Sequence, residues 1–247
     1  MEAVTPPRRK VHFIMNSKGG VGKSHVAWLL AQYLEAEGAP CICFDADAMT
    51  ASFSSFKALN VRRIELMRGT RIDPRLFDEV LEPCLSEDTE VIVDTGASSY
   101  AEWANYLIEN DVHRTLLDAG KEVVVHAIIV GGGQTLLETL KDLNDLADQL
   151  PAEVTLIVWL NEHFGRIEQD GKSFYDMEVY NRHRGRLHAI LELTQRTPQT
   201  FGVDSAQMMK QRLTFNEAIA SADFHVMAKS RLKRVKNDVF DQLKTAI

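Results

Sequence analysis

Cysteine is scarce. Cys41, Cys43 and Cys84 are the only three in the chain, too few and too unevenly spaced for a disulfide framework, and the set suits a reducing compartment. Cys41 and Cys43 fall on one face of an apolar run, where packing as small apolar groups is the plain role. No stretch approaches the roughly 20 apolar residues that span a bilayer. The basic opening "MEAVTPPRRK" is not followed by the apolar run of a secretion signal. A cytoplasmic protein is expected, at most peripheral to a membrane. Positive charge is in deficit: 28 Lys and Arg against 35 Asp and Glu leave a formal charge of −7. The surface as a whole therefore repels nucleic acid, and any DNA contact needs a local basic patch. There is no internal repeat, no low-complexity segment and no G-x-S-x-G nucleophile elbow. The eight histidines lack metal-ligand spacing; besides His12 and His25, His183 and His188 come nearest to a pair.

What is present is a rhythm. The 247 residues, 45% hydrophobic and 26% charged, give ample material for one large α/β domain. Apolar runs at 11–15, 41–44, 91–93, 123–130, 154–160 and 188–193 read as strands. Most are continuous rather than alternating, as strands buried on both faces are. Between them, 25–38 is an amphipathic helix closed by Gly38, and 135–150 is another, stopped by Pro151. This alternation predicts an α/β fold, a doubly wound, mostly parallel sheet with helices on both faces. One domain over 1–247 is expected, with a short tail at 1–9 and an amphipathic C-terminal helix within 222–247. Two stretches break the rhythm: 47–75, which holds Arg62, Arg63, Arg68, Arg71 and Arg75, and the polar segment 162–186.

The segment "KVHFIMNSKGGVGKSHVAWLL" (10–30) places a glycine-rich loop between a strand and a helix, the setting of a phosphate loop. Gly19, Gly20 and Gly22 lack side chains, so backbone N–H groups around Val21 can converge on phosphate oxygens. The helix that follows turns its positive end to the same anion. Lys23 is placed to reach the β- and γ-phosphates, and Ser24 to ligate Mg²⁺. The loop nevertheless departs from G-x-x-x-x-G-K-[ST]. Ser17 stands where the first glycine belongs, and Lys18 adds a second lysine.

"KGGVGKS" (18–24) resembles the deviant Walker A motif of the ParA/MinD family of ATPases, K-G-G-x-G-K-[ST]. The resemblance implies ATP and Mg²⁺ as cofactors and an ATP-dependent homodimer, in which Lys18 reaches the phosphates held by the partner subunit. It also implies roles along the first 160 or so residues. "CICFDADAMTAS" is similar to the family's first switch, with Asp47 orienting the attacking water and Asp45 near the metal shell. "VIVDTGAS" is similar to its Walker B and second switch, with Asp94 holding Mg²⁺ through water. "LIVWLNEHF" ends in Asn161, where the family often has an adenine contact. His25 stands where a threonine usually contacts the α-phosphate, Ala48 and Met49 replace the usual residues after Asp47, and no proline follows Asp94. Within the family, "KGGVGKSHVAWLLAQYL", "DTGAS" and "RLTFNEAI" are similar to the TraL/StbB type of conjugative-plasmid proteins. That implies a switch that positions a cargo in plasmid transfer or maintenance, with a protein partner in that apparatus. The fold also carries two other functions: a nucleotide-binding scaffold with little hydrolysis, and an ATP-dependent carboxylate-activating enzyme. A cluster-bearing electron carrier would need loop thiolates, which are missing. The basic run "KSRLKRVKND" (229–238) reads either as the solvated face of a packed helix or as a contact for DNA or an anionic membrane.

Overall fold

The computed structural model describes residues 8–247. Of the tail expected at 1–9, residues 1–7 lie outside the described residues, and Arg9 already opens a strand. The main sheet has seven strands: β1 (Arg9–Ile14), β2 (Cys41–Ala46), β3 (Arg62–Arg63), β4 (Glu90–Thr95), β5 (Lys121–Val130), β6 (Thr155–Asn161) and β7 (Leu187–Leu193). Their order is β7–β6–β5–β1–β4–β2–β3, and every neighbouring pair is parallel. Six of the strands coincide with the apolar runs. The seventh, β3, is two arginines long, and pairs Arg62 with Phe44 and Arg63 with Asp45. An edge strand so short and charged has no hydrophobic period to betray it.

Helices α1 (Lys23–Ala36), α2 (Asp78–Ser86), α3 (Tyr100–Glu109), α4 (Val112–Asp118), α5 (Gly133–Gln149), α6 (Glu178–His183), α7 (Val203–Lys210), α8 (Phe215–Ala220) and α9 (Val226–Ala246) connect and cover the sheet. Successive strand residues point to opposite faces, so Val11 and Phe13 of β1 join one core with Phe77, Trp103, Leu136 and Leu143. Ile14 joins the other with Trp28, Phe215, Leu232 and Leu243. The C-terminal helix starts at Val226, four residues inside the expected segment, and Leu232, Val239 and Leu243 are buried beneath it. Among the cations of its basic run, Arg231 pairs with Asp204 at 2.5 Å. Residues 47–75 include a hairpin of Met67–Arg68 with Arg71–Ile72. There Asp73 faces Arg68 and Arg75, and Glu65 faces Arg63.

Three histidine pairings differ from those nearest in sequence. Trp159 Nε1 donates to His126 Nδ1 at 2.9 Å, and His126 Nε2 lies 3.0 Å from His12 Nδ1. The indole can only donate, so His126 carries its proton on Nε2 and passes a hydrogen bond to His12. His183 bonds Asn144, whereas His188 lies exposed on β7. Cys41 and Cys43 share a strand face as expected, Sγ to Sγ 3.6 Å, and Cys84 is buried in α2. No described helix is long and apolar enough to cross a membrane.

Chain order reverses across β1: β2 and β4 lie to one side of it and β5 to the other. A crevice therefore opens at the carboxyl ends of the central strands, the place where such sheets bind ligands. The loop 16–22, the segments after β2 and β4, and the end of β6 all meet there.

Candidate functional site

Four elements hold the glycine-rich loop. Asn16, fully buried, donates from Nδ2 to the Ile128 carbonyl at 2.9 Å and accepts the Ile128 N–H at 2.8 Å, which ties the loop's start to β5. Ser17, in place of a glycine, donates its N–H to Asp142 Oδ2 at 2.8 Å and its hydroxyl to Asp142 Oδ1 at 2.6 Å. The side chain that breaks the common pattern is thus the one that α5 grips. Asn161, at the end of β6, donates to the Val21 carbonyl at 2.9 Å and accepts the His163 N–H at 3.2 Å. Gly22 (φ +106°) caps α1, and a Cβ there would lie 2.9 Å from Asn161 Nδ2; only glycine fits both the backbone and the space.

Lys23 is the fourth support. Its ammonium, almost wholly buried, donates to the carbonyls of Asn16 at 3.1 Å and Lys18 at 2.9 Å. Burial lowers its pKa, opposed by the nearby Asp94, Asp47 and Asp142 carboxylates. A buried cation curled inside a loop of N–H groups is a cradle for a polyanion. Ser24 follows in the first turn of α1. His25 stacks on Trp28, ring centroids 5.3 Å apart, and burial lowers its pKa to about 4. It is therefore neutral at neutral pH. Gly19 faces Ala97 of the segment after β4.

Asp94, next to last in β4, has 1% of its surface exposed, and neither carboxylate oxygen has a hydrogen-bond partner. Its pKa rises to about 7, chiefly through burial and further through Asp45 and Asp47; the neighbouring Ser24 and Lys23 oppose the rise. An orphaned buried carboxylate is costly. Beside Ser24 and Lys23 it fits a hydrated divalent cation carried in with phosphate. Among the described residues no group of three His, Cys, Asp or Glu side chains is set to hold a metal unaided, so phosphate and water oxygens would complete the shell.

The two aspartates after β2 organise the chain. Asp45, fully buried, accepts the Ser54 N–H and hydroxyl on Oδ2, both at 2.8 Å, and the Asp47 N–H on Oδ1 at 3.3 Å. Its oxygens face the protein rather than an open metal position. Asp47 accepts the N–H groups of Met49 and Thr50 at 2.8 and 3.1 Å, and the Thr50 hydroxyl at 2.7 Å, a turn closed on its own side chain. Gly96 packs against that turn. A Cβ there would lie 2.8 Å from Asp47 Oδ1 and 2.9 Å from its Cα. Gly96→Ala should therefore push the two segments apart, destabilising the fold by about 1–3 kcal/mol. Nucleotide should still bind while phosphate release slows; melting curves and a phosphate-release assay on the same sample check both.

Lys18 stands apart from the other loop residues. Its ammonium turns outward and pairs with Glu138 of α5 at 2.7 Å, with 41% of its side chain exposed. Leu137, next to Glu138 in α5, is an exposed apolar side chain at 45%, as are Phe164 after β6 and Met49 after β2, at 56% and 71%. Asn16, Glu138 and Asp142 were not singled out from the sequence. Asp142 left one trace there: with Thr139 it interrupts the buried stripe Leu136, Leu143 and Leu146 of an otherwise amphipathic helix.

Known proteins resemble this chain in sequence and in fold. Residues 12–223 match the model of the CobQ/CobB/MinD/ParA nucleotide-binding domain. A protein of Escherichia coli described as Protein TraL is 42% identical over 237 residues, 96% of this chain and 98% of the relative. Solved structures share the fold. The MinC:MinD cell division protein complex of Aquifex aeolicus superposes with a TM-score of 0.54 at 11% identity, covering 95% of each chain. A putative plasmid partition protein of Borrelia burgdorferi does so with 0.51 at 14% identity, covering 97% of this chain and 100% of its own. The chain belongs to the CobQ/CobB/MinD/ParA family of nucleotide-binding domains, in the branch of Protein TraL.

Proposed function

We propose that the protein is a cytoplasmic ATP-dependent dimerising switch, a single P-loop domain that binds Mg·ATP, pairs with a second copy and hydrolyses ATP to position a cargo in plasmid transfer or maintenance. The observation that carries this reading is the division of labour between two lysines. Lys23 lies inside the loop and bonds its carbonyls, whereas Lys18 turns outward to Glu138 with 41% of its side chain exposed. An ammonium in that position can serve phosphates held by another chain. A cation supplied in trans neutralises charge developing on the transferred phosphoryl group, and makes pairing depend on the nucleotide.

In this reading Gly19, Gly20, Val21, Gly22, Lys23 and Ser24 bind the phosphates, and His25 and Asn161 flank the nucleotide. Ser24 and Asp94 hold Mg²⁺, with Asp45 behind them, and Asp47 orients water once its turn opens. The Borrelia neighbour was solved bound to AMPPNP, which supports ATP as the nucleotide. A protein of the transfer or partition machinery is the expected partner, and the exposed Lys233 and Arg234 of α9 offer a local DNA contact; an anionic membrane is the weaker candidate for the same cations. Light scattering tests the core claim. The mass should double with Mg²⁺ and a non-hydrolysable ATP analogue and stay that of one chain with ADP. One mass throughout would refute it.

A second reading is a nucleotide-binding scaffold with little turnover. It is favoured by Asp47, whose two oxygens are both engaged in its own turn. A sensitive phosphate-release assay separates the two.

A further inference from the structure

Helix α5 presents two carboxylates one turn apart, Glu138 and Asp142, which face consecutive residues of the loop. Their settings differ. Asp142 is 4% exposed and accepts both the N–H and the hydroxyl of Ser17, so the loop's entry is fixed to the helix. Glu138 meets the Lys18 ammonium at 2.7 Å with 35% of its side chain exposed. That ammonium holds the Glu138 carboxyl below its usual range, and Gln134, one turn back, adds to the effect as a neutral donor. One carboxylate is an anchor and the other is a contact that water can replace.

We propose that Glu138 is an intrachain latch on Lys18: it holds the ammonium against α5 in the single chain, and dimerisation must break this pair, so that Glu138 sets the threshold at which the nucleotide-loaded protein assembles. The proposal rests on the dimerising-switch reading above. Three features fit it. Ser17 is clamped by Asp142, so releasing Lys18 takes a side-chain rotation and no movement of the loop entry. The pair is half-exposed, and such pairs are weak enough to open reversibly, unlike a buried one. Glu138 has 35% of its side chain exposed, so water can solvate the carboxylate when the lysine leaves.

A symmetric dimer breaks two such pairs, so their effect counts twice. With each pair worth roughly two- to fivefold in an equilibrium constant, Glu138→Gln should lower the dimer dissociation constant about 4- to 25-fold. Sedimentation of the full chain with Mg²⁺ and a non-hydrolysable ATP analogue reads this directly. A second measurement needs neither dimer nor nucleotide. Acetylation of the nucleotide-free protein, followed by mass spectrometry, should modify Lys18 several times faster in Glu138→Gln than in wild type, with Lys172, exposed on a separate hairpin, as the internal reference. Matching melting curves would establish that the variant is folded. Wild type that dimerises while Glu138→Gln does so no more tightly overturns the latch alone, as does an unchanged Lys18 labelling rate. Wild type that stays single with the analogue overturns the switch reading, and the threshold role falls with it.

Discussion

Lys18→Ala should lower ATP turnover by about a thousandfold or more and leave the analogue-loaded protein a single chain, with nucleotide still bound. The size follows from other cations supplied in trans to a transferring phosphoryl group, which contribute about 10³–10⁵ in rate. Survival of binding follows from the loop's own bonds. The part of Lys18 that the loop uses is its backbone carbonyl, which accepts from Lys23 Nζ at 2.9 Å, and alanine keeps it. Asn16, Ser17, Val21 and Lys23 keep their anchors to β5, α5, β6 and the loop itself. The cradle should therefore stand while the outward ammonium is lost. Isothermal titration with ATP, a phosphate-release assay and light scattering on one preparation report the three quantities separately. Wild-type turnover would remove Lys18 from the chemistry, and loss of binding would show that its side chain supports the loop after all.

The same loop shows what a sequence can and cannot disclose. Strand, glycine loop and helix are contiguous, so their order and the left-handed Gly20 and Gly22 are visible as a pattern. Asp94 is visible because a polar residue ends a run of valine and isoleucine. Ser17 was visible only as a missing glycine. Its partner Asp142 lies 125 residues away, and nothing local to either residue announces the other. Asn16 bonds Ile128 across 112 residues, and Glu138 meets Lys18 only because α5 packs beside the loop. The aspartates after β2 were legible as acids near a nucleotide site, but not in their orientation. Asp45 turns to Ser54, and Asp47 closes a turn on Thr50, choices set by the path of a loop with no regular period. β3 escaped for the opposite reason: its neighbour β2 makes it a strand, and its own two arginines do not.

Asp94→Asn should stabilise the nucleotide-free protein at pH 8 while reducing turnover about 10²–10³-fold, the scale of losing one preorganised electrostatic contact at a reacting phosphate. The stability term comes from the buried, unpartnered carboxylate. Its pKa in the fold, about 7, lies above the ordinary 3.8, so the folded chain keeps a proton that the unfolded chain releases. Below pH 4 both states hold it and nothing is lost. From pH 4 to 7 the unfolded state ionises first, and stability falls as pH rises. Above pH 7 the fold carries the full cost, about 4 kcal/mol from the difference in pKa. Asparagine keeps the shape and sheds the charge, which Asp45 and Asp47 disfavour along with burial. A gain of that order shifts melting of a chain this size by on the order of 10 °C. At pH 5 less than half of the gain should remain, because the wild-type carboxyl is then already protonated in the fold. Melting curves of both proteins at pH 5 and pH 8 give this difference of differences. A variant that melts no higher than wild type at pH 8 would mean that Lys23 already neutralises Asp94 in the nucleotide-free protein. Mg²⁺ held at Asp94 would then meet a carboxylate whose charge is already compensated.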